Sequence, residues 1–379
     1  MGDLTCDVAV VGGGLVGASL AYELVSRGAD VLLLDGRHPG RATDAGAGIL
    51  SPETTWHPDD GLFAFGCAAA VHYRALVDRL TAAGAEDTGY APCGLLMVGI
   101  DPGEDDWFAT RAELARRRSP GLLRPLTAAQ ARDLFPPLGE TRHALHNPAA
   151  ARVDGRSMRA ALLHAARAHG LRDLEANVSA LRIEGGRVLG VVSDLGPVSG
   201  AAVAVAGGAW SSSFADQLGV RIPVAPVKGQ IVHLALPPDR HHPVDTGGWP
   251  IVSPVLNHYL VAWPGGRVAC GGTYEPAASF DTRPTVAGLA ELLHAALVIA
   301  PGLADAVVAD VRVGLRPVSE DHLPVLGPVP GWDNVHLLTG HGTEGLLLGP
   351  YSSALVARAL TEASVPEDLA PFALDRFPP

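Results

Sequence analysis

The chain has 379 residues, of which 47% are hydrophobic and 18% are charged, and its formal net charge is −12 at pH 7. This length is typical of two domains. The acidic balance argues against a nucleic acid or an anionic membrane surface as a partner. No apolar run approaches the length of a membrane span, and no signal-peptide pattern precedes the first predicted strand, so we expect a cytoplasmic protein.

The cysteines and histidines show no ligand pattern. The four cysteines lie far apart without a C-x-x-C pair, which predicts separate reduced thiols rather than a disulfide framework or a zinc site. His57 and the pair His241-His242 lack a second ligand group at a characteristic spacing. We therefore predict no metal site.

The N-terminal segment has the pattern of a βαβ nucleotide-binding unit. Residues 8–11 form an apolar run that predicts a buried parallel strand, and a G-x-G-x-x-G sequence follows with Gly12, Gly14 and Gly17. These glycines permit a tight turn, the approach of a pyrophosphate to the backbone, and close packing of helix on strand. A predicted helix and a second apolar strand end at Asp35, which is placed to accept hydrogen bonds from ribose hydroxyls. The sequence therefore predicts a dinucleotide site.

Further along the chain, hydrophobic periodicity predicts a mixture of helices and strands. We predict helices at residues 61–80, 105–118, 157–169 and 289–299, a strand pair around Gly94 at 90–100, a hairpin around Gly185-Gly186 at 178–192, and a buried strand at 201–206. Lys228 is the only lysine in the sequence, and we expect it to be a solvated strand residue.

Six short segments, spread over most of the chain, add a second kind of information. They are a small-residue segment ending in G-I-L at 48–50, A-G-G-A-W-S at 206–211, P-V-K-G-Q at 226–230, G-R-V-A-C-G-G-T at 266–273, G-L-R-P at 314–317 and G-H-G-T-E-G at 340–345. In this order the segments resemble the D-amino-acid-oxidase superfamily of FAD enzymes, and most closely its glycine oxidase branch. The resemblance is weakest between residues 55 and 150.

The resemblance implies an α/β fold with two domains. One is a Rossmann-like FAD-binding domain, discontinuous in sequence, expected at residues 1–80, 150–215 and 313–379. The other is an α+β substrate domain built on a mixed, largely antiparallel sheet, expected at residues 81–149 and 216–312.

The matched motifs also imply which residues contact the cofactor. They are Gly12, Gly14, Leu15, Val16, Gly17, Asp35, Gly36, Ala42, Thr43, Ala47, Gly48, Ile49, Val178, Ala206, Gly207, Trp210, Gly314, His341, Gly342, Thr343, Glu344, Gly345 and Leu346. The FAD is expected to be non-covalent, because no cysteine follows Cys270, where the covalent sarcosine oxidases attach theirs. The alternative to a solvated Lys228 is a lysine that acts as an oxygen-activating cation.

The catalytic expectations centre on one arginine and one tyrosine. Arg316 lies in G-L-R-P, and its guanidinium fork suits a substrate carboxylate held through two parallel hydrogen bonds. Tyr259 matches the family tyrosine that helps hold this carboxylate, although packing in the core is an equal alternative. The expected substrate pocket contains Ser51, Thr54, Trp249, Tyr274 and Thr343, with Trp56 as a further apolar wall.

Two departures from the family bear on the substrate. Thr343 stands where glycine oxidases often have arginine, and Glu344 where they have asparagine. The resemblance implies hydride transfer from Cα to flavin N5, giving an imine that hydrolyses to a 2-oxo acid such as glyoxylate plus an amine. The departures favour a substrate that is N-substituted or bulkier than glycine.

Three other functions remain open at this point. They are a D-amino acid or D-proline dehydrogenase that passes electrons to an acceptor other than oxygen, a flavoprotein subunit of an electron-relay complex, and an NAD(P)-dependent dehydrogenase. The expected partner is a small amino acid substrate, with a homo-oligomer left open.

Overall fold

The computed structural model describes residues 4–54, 59–237, 245–255, 258–362 and 364–378. The helices within these residues are α1 (Leu15–Val25), α2 (Ala42–Ala45), α3 (Asp60–Ala82), α4 (Asp105–Arg118), α5 (Ala128–Leu134), α6 (Gly155–Ala168), α7 (Ala215–Leu218), α8 (Val286–Ile299) and α9 (Gly345–Glu362). The described strands are β1 (Leu4–Val11), β2 (Val31–Leu34), β3 (Ile49–Leu50), β4 (Tyr90–Pro92), β5 (Leu95–Gly99), β6 (Arg124–Pro125), β7 (His143–Asn147), β8 (Ala151–Val153), β9 (Arg172–Leu174), β10 (Val178–Glu184), β11 (Arg187–Ser193), β12 (Gly196–Val205), β13 (Val224–Ala235), β14 (Ile251–Pro254), β15 (Tyr259–Trp263), β16 (Arg267–Gly271), β17 (Val307–Ser319), β18 (Val325–Pro328) and β19 (Val335–Thr339).

The first large sheet is centred on the N-terminal strand. Strand β1 lies between β12 and β2 and is parallel to both, because the crossover through α1 brings the chain back in the same direction. Strands β9 and β19 extend the parallel part, and the hairpin β10–β11 and β18 are antiparallel additions. Helices α1, α3, α6 and α9 cover one face of this sheet with a continuous apolar core.

The second large sheet has the order β17-β13-β16-β15-β14-β5-β7-β6. Its pairs are antiparallel except for β14 with β5. Helices α5 and α8 pack on one face, and α4 packs on the other. The α4 face also contacts Ala47 and Ile49, so it is turned towards the first sheet.

A small third sheet connects these parts. Strand β8 pairs with β3 on one side and with β4 on the other. Gly48 precedes β3 with a φ of 75°, and a Cβ atom there would lie 1.7 Å from the carbonyl oxygen of Val153. Only glycine allows this close approach, which fixes the small-residue segment against the start of α6.

The predicted α/β fold, with a mixed and largely antiparallel second sheet, is confirmed. The N-terminal βαβ unit, the hairpin at 178–192 and the predicted helices are present, each helix within a few residues of its expected bounds. The strand pair predicted at 90–100 is wrong: β4 and β5 flank Gly94 but belong to different sheets. Gly94 has a φ of 75° and directs the chain from one sheet into the other.

The domain boundaries stay a prediction. The proposed limit between residues 312 and 313 falls inside β17, which pairs with β13 along its whole length. Among the described helices, none is long and apolar enough to cross a membrane.

Candidate cofactor and substrate site

A cavity of about 1070 Å³ lies between the two large sheets. At one end it is lined by Asp35 and Gly36, which follow β2, and by Val178, the first residue of β10. At the other end it is lined by Tyr259 and Arg316 of the second sheet. The cavity is therefore elongated, and both sheets contribute to its walls.

The glycine turn forms the middle of this cavity. Gly14 is the N-cap residue of α1, and the backbone N–H of Leu15 donates to Oγ1 of Thr43 at 2.9 Å. Gly17 faces away from the cavity, and a Cβ atom there would lie 1.8 Å from the carbonyl oxygen of Gly12. Gly17 therefore serves the packing of α1 on β1, as the third glycine of the motif predicts.

Asp35 is held by two arginines that the sequence analysis did not single out. Its Oδ2 accepts from Arg41 at 2.6 Å and from Arg159 at 3.0 Å. Nε of Arg159 also donates to the carbonyl oxygen of Gly13. This cluster joins the ribose acid of the motif to the glycine turn. Arg41 could have been noticed because it directly precedes the small-residue segment, whereas Arg159 had no motif to mark it.

At the opposite end, Arg316 lies flat over the neighbouring strand. Gly229 of β13 faces Gly314 of β17, and a Cβ atom on Gly229 would lie 2.1 Å from Nη1 of Arg316. Nη1 donates to the carbonyl oxygens of Thr273 at 2.9 Å and Lys228 at 3.4 Å. These bonds orient the guanidinium without neutralising its charge. The P-V-K-G-Q and G-L-R-P motifs thus act together, because the glycine of one makes room for the arginine of the other.

Tyr259 meets this arginine from β15. Burial raises the pKa of the Tyr259 hydroxyl, and the charge of Arg316 and a hydrogen bond with it act in the opposite direction. The phenol therefore stays protonated near neutral pH and can donate a hydrogen bond. Of the two alternatives for this tyrosine, its place on the cavity wall supports the carboxylate contact rather than simple core packing.

The turn before α9 closes the same end of the cavity. His341 is buried, burial lowers its pKa to about 4, and its Nε2 lies 3.2 Å from Oγ of Ser352. This histidine is therefore neutral and structural near pH 7. Glu344 has a pKa raised to about 6 by burial, against which a hydrogen bond with Thr343 acts. A carboxyl group that is half-protonated near pH 6 thus lines the cavity, at the position where the resemblance implies that glycine oxidases often have asparagine.

The structure brings almost all of the predicted cofactor positions together. Apart from Gly17, the residues that line the cavity are Gly12, Gly14, Leu15, Val16, Asp35, Gly36, Ala42, Thr43, Ala47, Gly48, Ile49, Val178, Ala206, Gly207, Trp210, Gly314, His341, Gly342, Thr343, Glu344, Gly345 and Leu346. Their roles in binding a cofactor remain predictions, but their convergence from five distant segments is an observation.

The predicted substrate pocket is only partly assembled. Ser51, Tyr274 and Thr343 line the cavity with Arg316 and Tyr259. Trp249 does not belong to the described lining: its ring packs on Phe135 with centroids 5.1 Å apart, at the edge of the apolar core under α5 and α8. An aromatic side chain with a large apolar area is held there by core packing. The side chain of Thr54 and the residues Trp56, His57, His241 and His242 lie outside the described part of the chain.

Lys228 also differs from its expected position. Its side chain is only 1% exposed, and Nζ lies 3.5 Å from Oε2 of Glu275. Burial alone would raise the pKa of Glu275, but hydrogen bonds from Thr273 and Gln230 and the charge of Lys228 bring it below its usual value. The expectation of a solvated lysine is therefore wrong, because strand β13 lies in the interior of its sheet between β17 and β16.

Comparison with known proteins decides the family. A family model described as FAD dependent oxidoreductase, DAO, matches residues 7–359. The chain belongs to the DAO family. It is 32% identical over 372 residues to a glycine oxidase of Pseudomonas putida, covering 97% of both chains. The expected resemblance to the glycine oxidase branch is confirmed, and this DAO-family chain is an FAD-dependent oxidoreductase rather than a nicotinamide-dependent dehydrogenase.

Two further similarities cover nearly the whole DAO-family chain. The crystal structure of iminodiacetate oxidase from Chelativorans sp. BNC1 has a TM-score of 0.90 and 37% identity, covering 97% of this chain and 98% of that one. The uncharacterized oxidoreductase YurR of Bacillus subtilis is 36% identical over 366 residues, which cover 96% of this chain and 97% of that protein.

The residues of this DAO-family cavity fit FAD. Gly208 and Gly342 both line it, and a Cβ atom built on either meets no atom within 4 Å, so the backbone there is open to a closely approaching ligand. The N-terminus of α1 is directed at the middle of the cavity, where a pyrophosphate would be stabilised by the helix dipole. Asp35 in the cavity wall would accept hydrogen bonds from the ribose of FAD, and the bound FAD would supply a hydride acceptor.

Three lining residues near Arg316 were not found from the sequence of this DAO-family enzyme. Leu95 of β5, Ser253 of β14 and Arg111 of α4 lie in regions where the motifs are absent or weak. Helix α4 was predicted from the sequence, but none of its residues was predicted to line the site. The buried residues Phe108 and Ala112 of α4 mark the face that packs on the sheet.

Proposed function

We propose that the enzyme oxidises the C–N bond of an N-substituted glycine. Arg316 carries this proposal: its half-buried guanidinium lines the cavity and is oriented by two backbone carbonyls that leave its charge for a ligand. A fixed guanidinium fork selects a carboxylate of defined tilt. The substrate is therefore an amine placed next to a carboxylate.

The hydroxyl of Tyr259 gives the same carboxylate a second donor. Arg316 and Tyr259 would together fix the carboxylate in a cavity that Gly48 and Ile49 also line, and the resemblance implies that these two residues contact the cofactor. Bound FAD supplies the hydride acceptor. The reacting amine is neutral, so its nitrogen lone pair forms the C=N bond as the hydride leaves Cα, and water then hydrolyses the imine to glyoxylate and an amine. No protein base is required for this step.

The cavity and the comparisons favour a substituent on nitrogen. Thr343 leaves room where glycine oxidases often carry the larger arginine, and half-exposed Tyr274 adds an apolar wall. The iminodiacetate oxidase named above acts, by its name, on a glycine whose nitrogen carries a second carboxymethyl group. Both observations support secondary amines over glycine itself.

A substrate panel tests this proposal. The holoenzyme is mixed anaerobically with glycine, sarcosine, N-ethylglycine, iminodiacetate, D-alanine or D-proline, and flavin bleaching is followed by stopped flow. We expect the N-substituted glycines to reduce the flavin at least ten times faster than glycine, and glyoxylate to appear in equal amount. Faster reduction by D-alanine or D-proline would replace the proposal with a D-amino acid dehydrogenase.

Two further readings complete the experiment. Admission of oxygen after reduction measures reoxidation, and slow reoxidation that artificial acceptors accelerate would identify a dehydrogenase. If every amine fails to bleach the flavin, an electron-relay subunit becomes the better explanation.

A further inference from the structure

Arg111 is a second cation on the wall of the substrate cavity. It belongs to α4, and its Nη1 donates to the carbonyl oxygen of Val255 at 2.5 Å, just beyond β14. On the same helix, Phe108 and Ala112 are buried in the apolar cluster that includes Val255 and contacts Tyr259. Helix α4 is thereby fixed on the sheet face that carries the proposed substrate site.

Strand pairing relates the two backbone carbonyls that Arg111 and Arg316 bind. Thr273 lies two residues past the end of β16 and Val255 one residue past the end of β14, and both of these strands are antiparallel to β15. Thr273 and Val255 therefore lie beyond the same end of the sheet, on opposite sides of β15. Arg316 binds the carbonyl oxygen of Thr273, and Arg111 binds that of Val255. The two carbonyl oxygens that the guanidinium groups bind thus lie about two strand spacings apart, roughly 10 Å.

Ser253 and Tyr259 fill the interval between the two arginines. By the same register they are opposite neighbours on β14 and β15, and both line the cavity. The surface between the cations therefore offers hydroxyl groups to a polar ligand. A short dicarboxylate spans roughly this interval when each carboxylate contacts one guanidinium at hydrogen-bond distance.

We propose that Arg111 binds a second carboxylate, one carried by the amine substituent, and so selects dicarboxylic secondary amines of the N-carboxymethylglycine class. This inference rests on the proposed oxidation of N-substituted glycines. Arg316 holds the carboxylate next to the reacting carbon, and Arg111 holds the distal one. Thr343 cannot supply the cation that glycine oxidases often carry at this position, and Arg111 of α4 supplies a cation to the substrate instead.

Matched pairs of ligands test this assignment. Calorimetry of the holoenzyme compares diglycolate, which has two carboxylates and an ether oxygen in place of the amine, with methoxyacetate, which has one. We expect wild type to bind diglycolate at least about 30-fold more tightly. In Arg111→Gln this advantage should fall below about threefold with the methoxyacetate Kd unchanged, and Arg111→Lys should restore part of it.

Arg116→Gln is the matched control, because Arg116 lies on the exposed side of the same helix and carries the same charge. This variant should keep the wild-type preference. Equal weakening of both ligands in Arg111→Gln, or no preference in wild type, would overturn the proposal. Turnover separates the two proposals: in Arg111→Gln, kcat/KM for iminodiacetate should fall by a much larger factor than kcat/KM for sarcosine.

The two hypotheses fail in different ways. If the wild-type enzyme oxidises sarcosine but shows no dicarboxylate preference, only the role of Arg111 is wrong. If diglycolate binding depends on Arg111 but no amine reduces the flavin, the binding site stands and the proposed oxidation is wrong.

Discussion

Arg316 and Tyr259 converge on one backbone position, since a Cβ atom on Gly272 would lie 2.9 Å from Nη2 of the arginine and 3.1 Å from Oη of the tyrosine. The two side chains come from β17 and β15, which are separated by β13 and β16 in the sheet. Gly229 and Gly272 leave the room in which the side chains meet.

This pairing predicts unequal losses of substrate binding. Arg316→Leu removes a charge-paired contact and should lower kcat/KM by a factor that corresponds to about 2–5 kcal/mol of transition-state free energy. Tyr259→Phe removes one hydroxyl donor and should cost about 1 kcal/mol. Because both act on one carboxylate, the double variant should lose less than the sum of the single losses. Stopped-flow reduction with the best panel substrate measures all three, and additive losses would contradict a shared ligand.

From the raised pKa of Glu344 we predict that its ionisation lowers the free energy of unfolding as the pH rises. Its folded pKa of about 6 lies above the ordinary value of 4.5, so the stabilisation from its proton is complete below pH 4.5 and is lost as the pH rises through 6. Glu344→Gln should therefore match wild type near pH 4.5 and exceed its unfolding free energy by on the order of 1–2 kcal/mol at pH 8. Urea unfolding across this range measures the difference.

For Gly17 we predict that a larger side chain disturbs the packing of α1 on β1 and has little direct effect on the lining of the cavity. In Gly17→Ala the new Cβ meets the carbonyl oxygen of Gly12 at 1.8 Å, and a backbone atom cannot move aside. We expect a loss of about 3 kcal/mol in unfolding free energy, together with weaker FAD retention. Gly248→Ala is the control, because a Cβ there meets nothing within 4 Å. Equal stability of the two variants would refute the role of Gly17 in packing.

For the Lys228–Glu275 pair we predict that removing the lysine destabilises the protein, and that also removing the charge of the glutamate restores most of the stability. Lys228→Met leaves the Glu275 carboxylate without its cation and should cost about 2 kcal/mol, less than for a fully buried pair because Glu275 is 28% exposed. The double variant with Glu275→Gln should recover most of the loss, since no unpaired charge remains. Urea unfolding of the three variants checks the cycle. A double variant as unstable as Lys228→Met would contradict this account.

Patterns within single stretches of the sequence were sufficient to predict much of the fold. The strand, glycine turn, helix and acid of the βαβ unit are consecutive, so their geometry follows from short-range constraints that one stretch of sequence contains. Most of the cofactor positions were implied instead by resemblance to short family motifs, and their roles stay predictions. Their common cavity is then a consequence of parallel strands that end at one edge of the sheet.

The positions that sequence reasoning missed or misplaced depend on contacts between distant segments. Trp249 packs on Phe135, and Lys228 is buried because β13 lies between two other strands. Arg41 and Arg159 meet at Asp35 only after α6 packs beside α1 and α2. The hydrophobic periodicity of a single helix or strand does not specify these contacts between distant segments.

By itself, the sequence determined the cofactor-binding framework, the predicted helices and the candidate carboxylate anchor at Arg316. Only the tertiary structure decided which side chains share the cavity with that anchor, and it brought Arg111 of α4 to the carbonyl oxygen of Val255 on the cavity wall. Hydrophobic periodicity specifies which face of an element is buried, whereas the pairing and register of strands remote in sequence decide what that face meets.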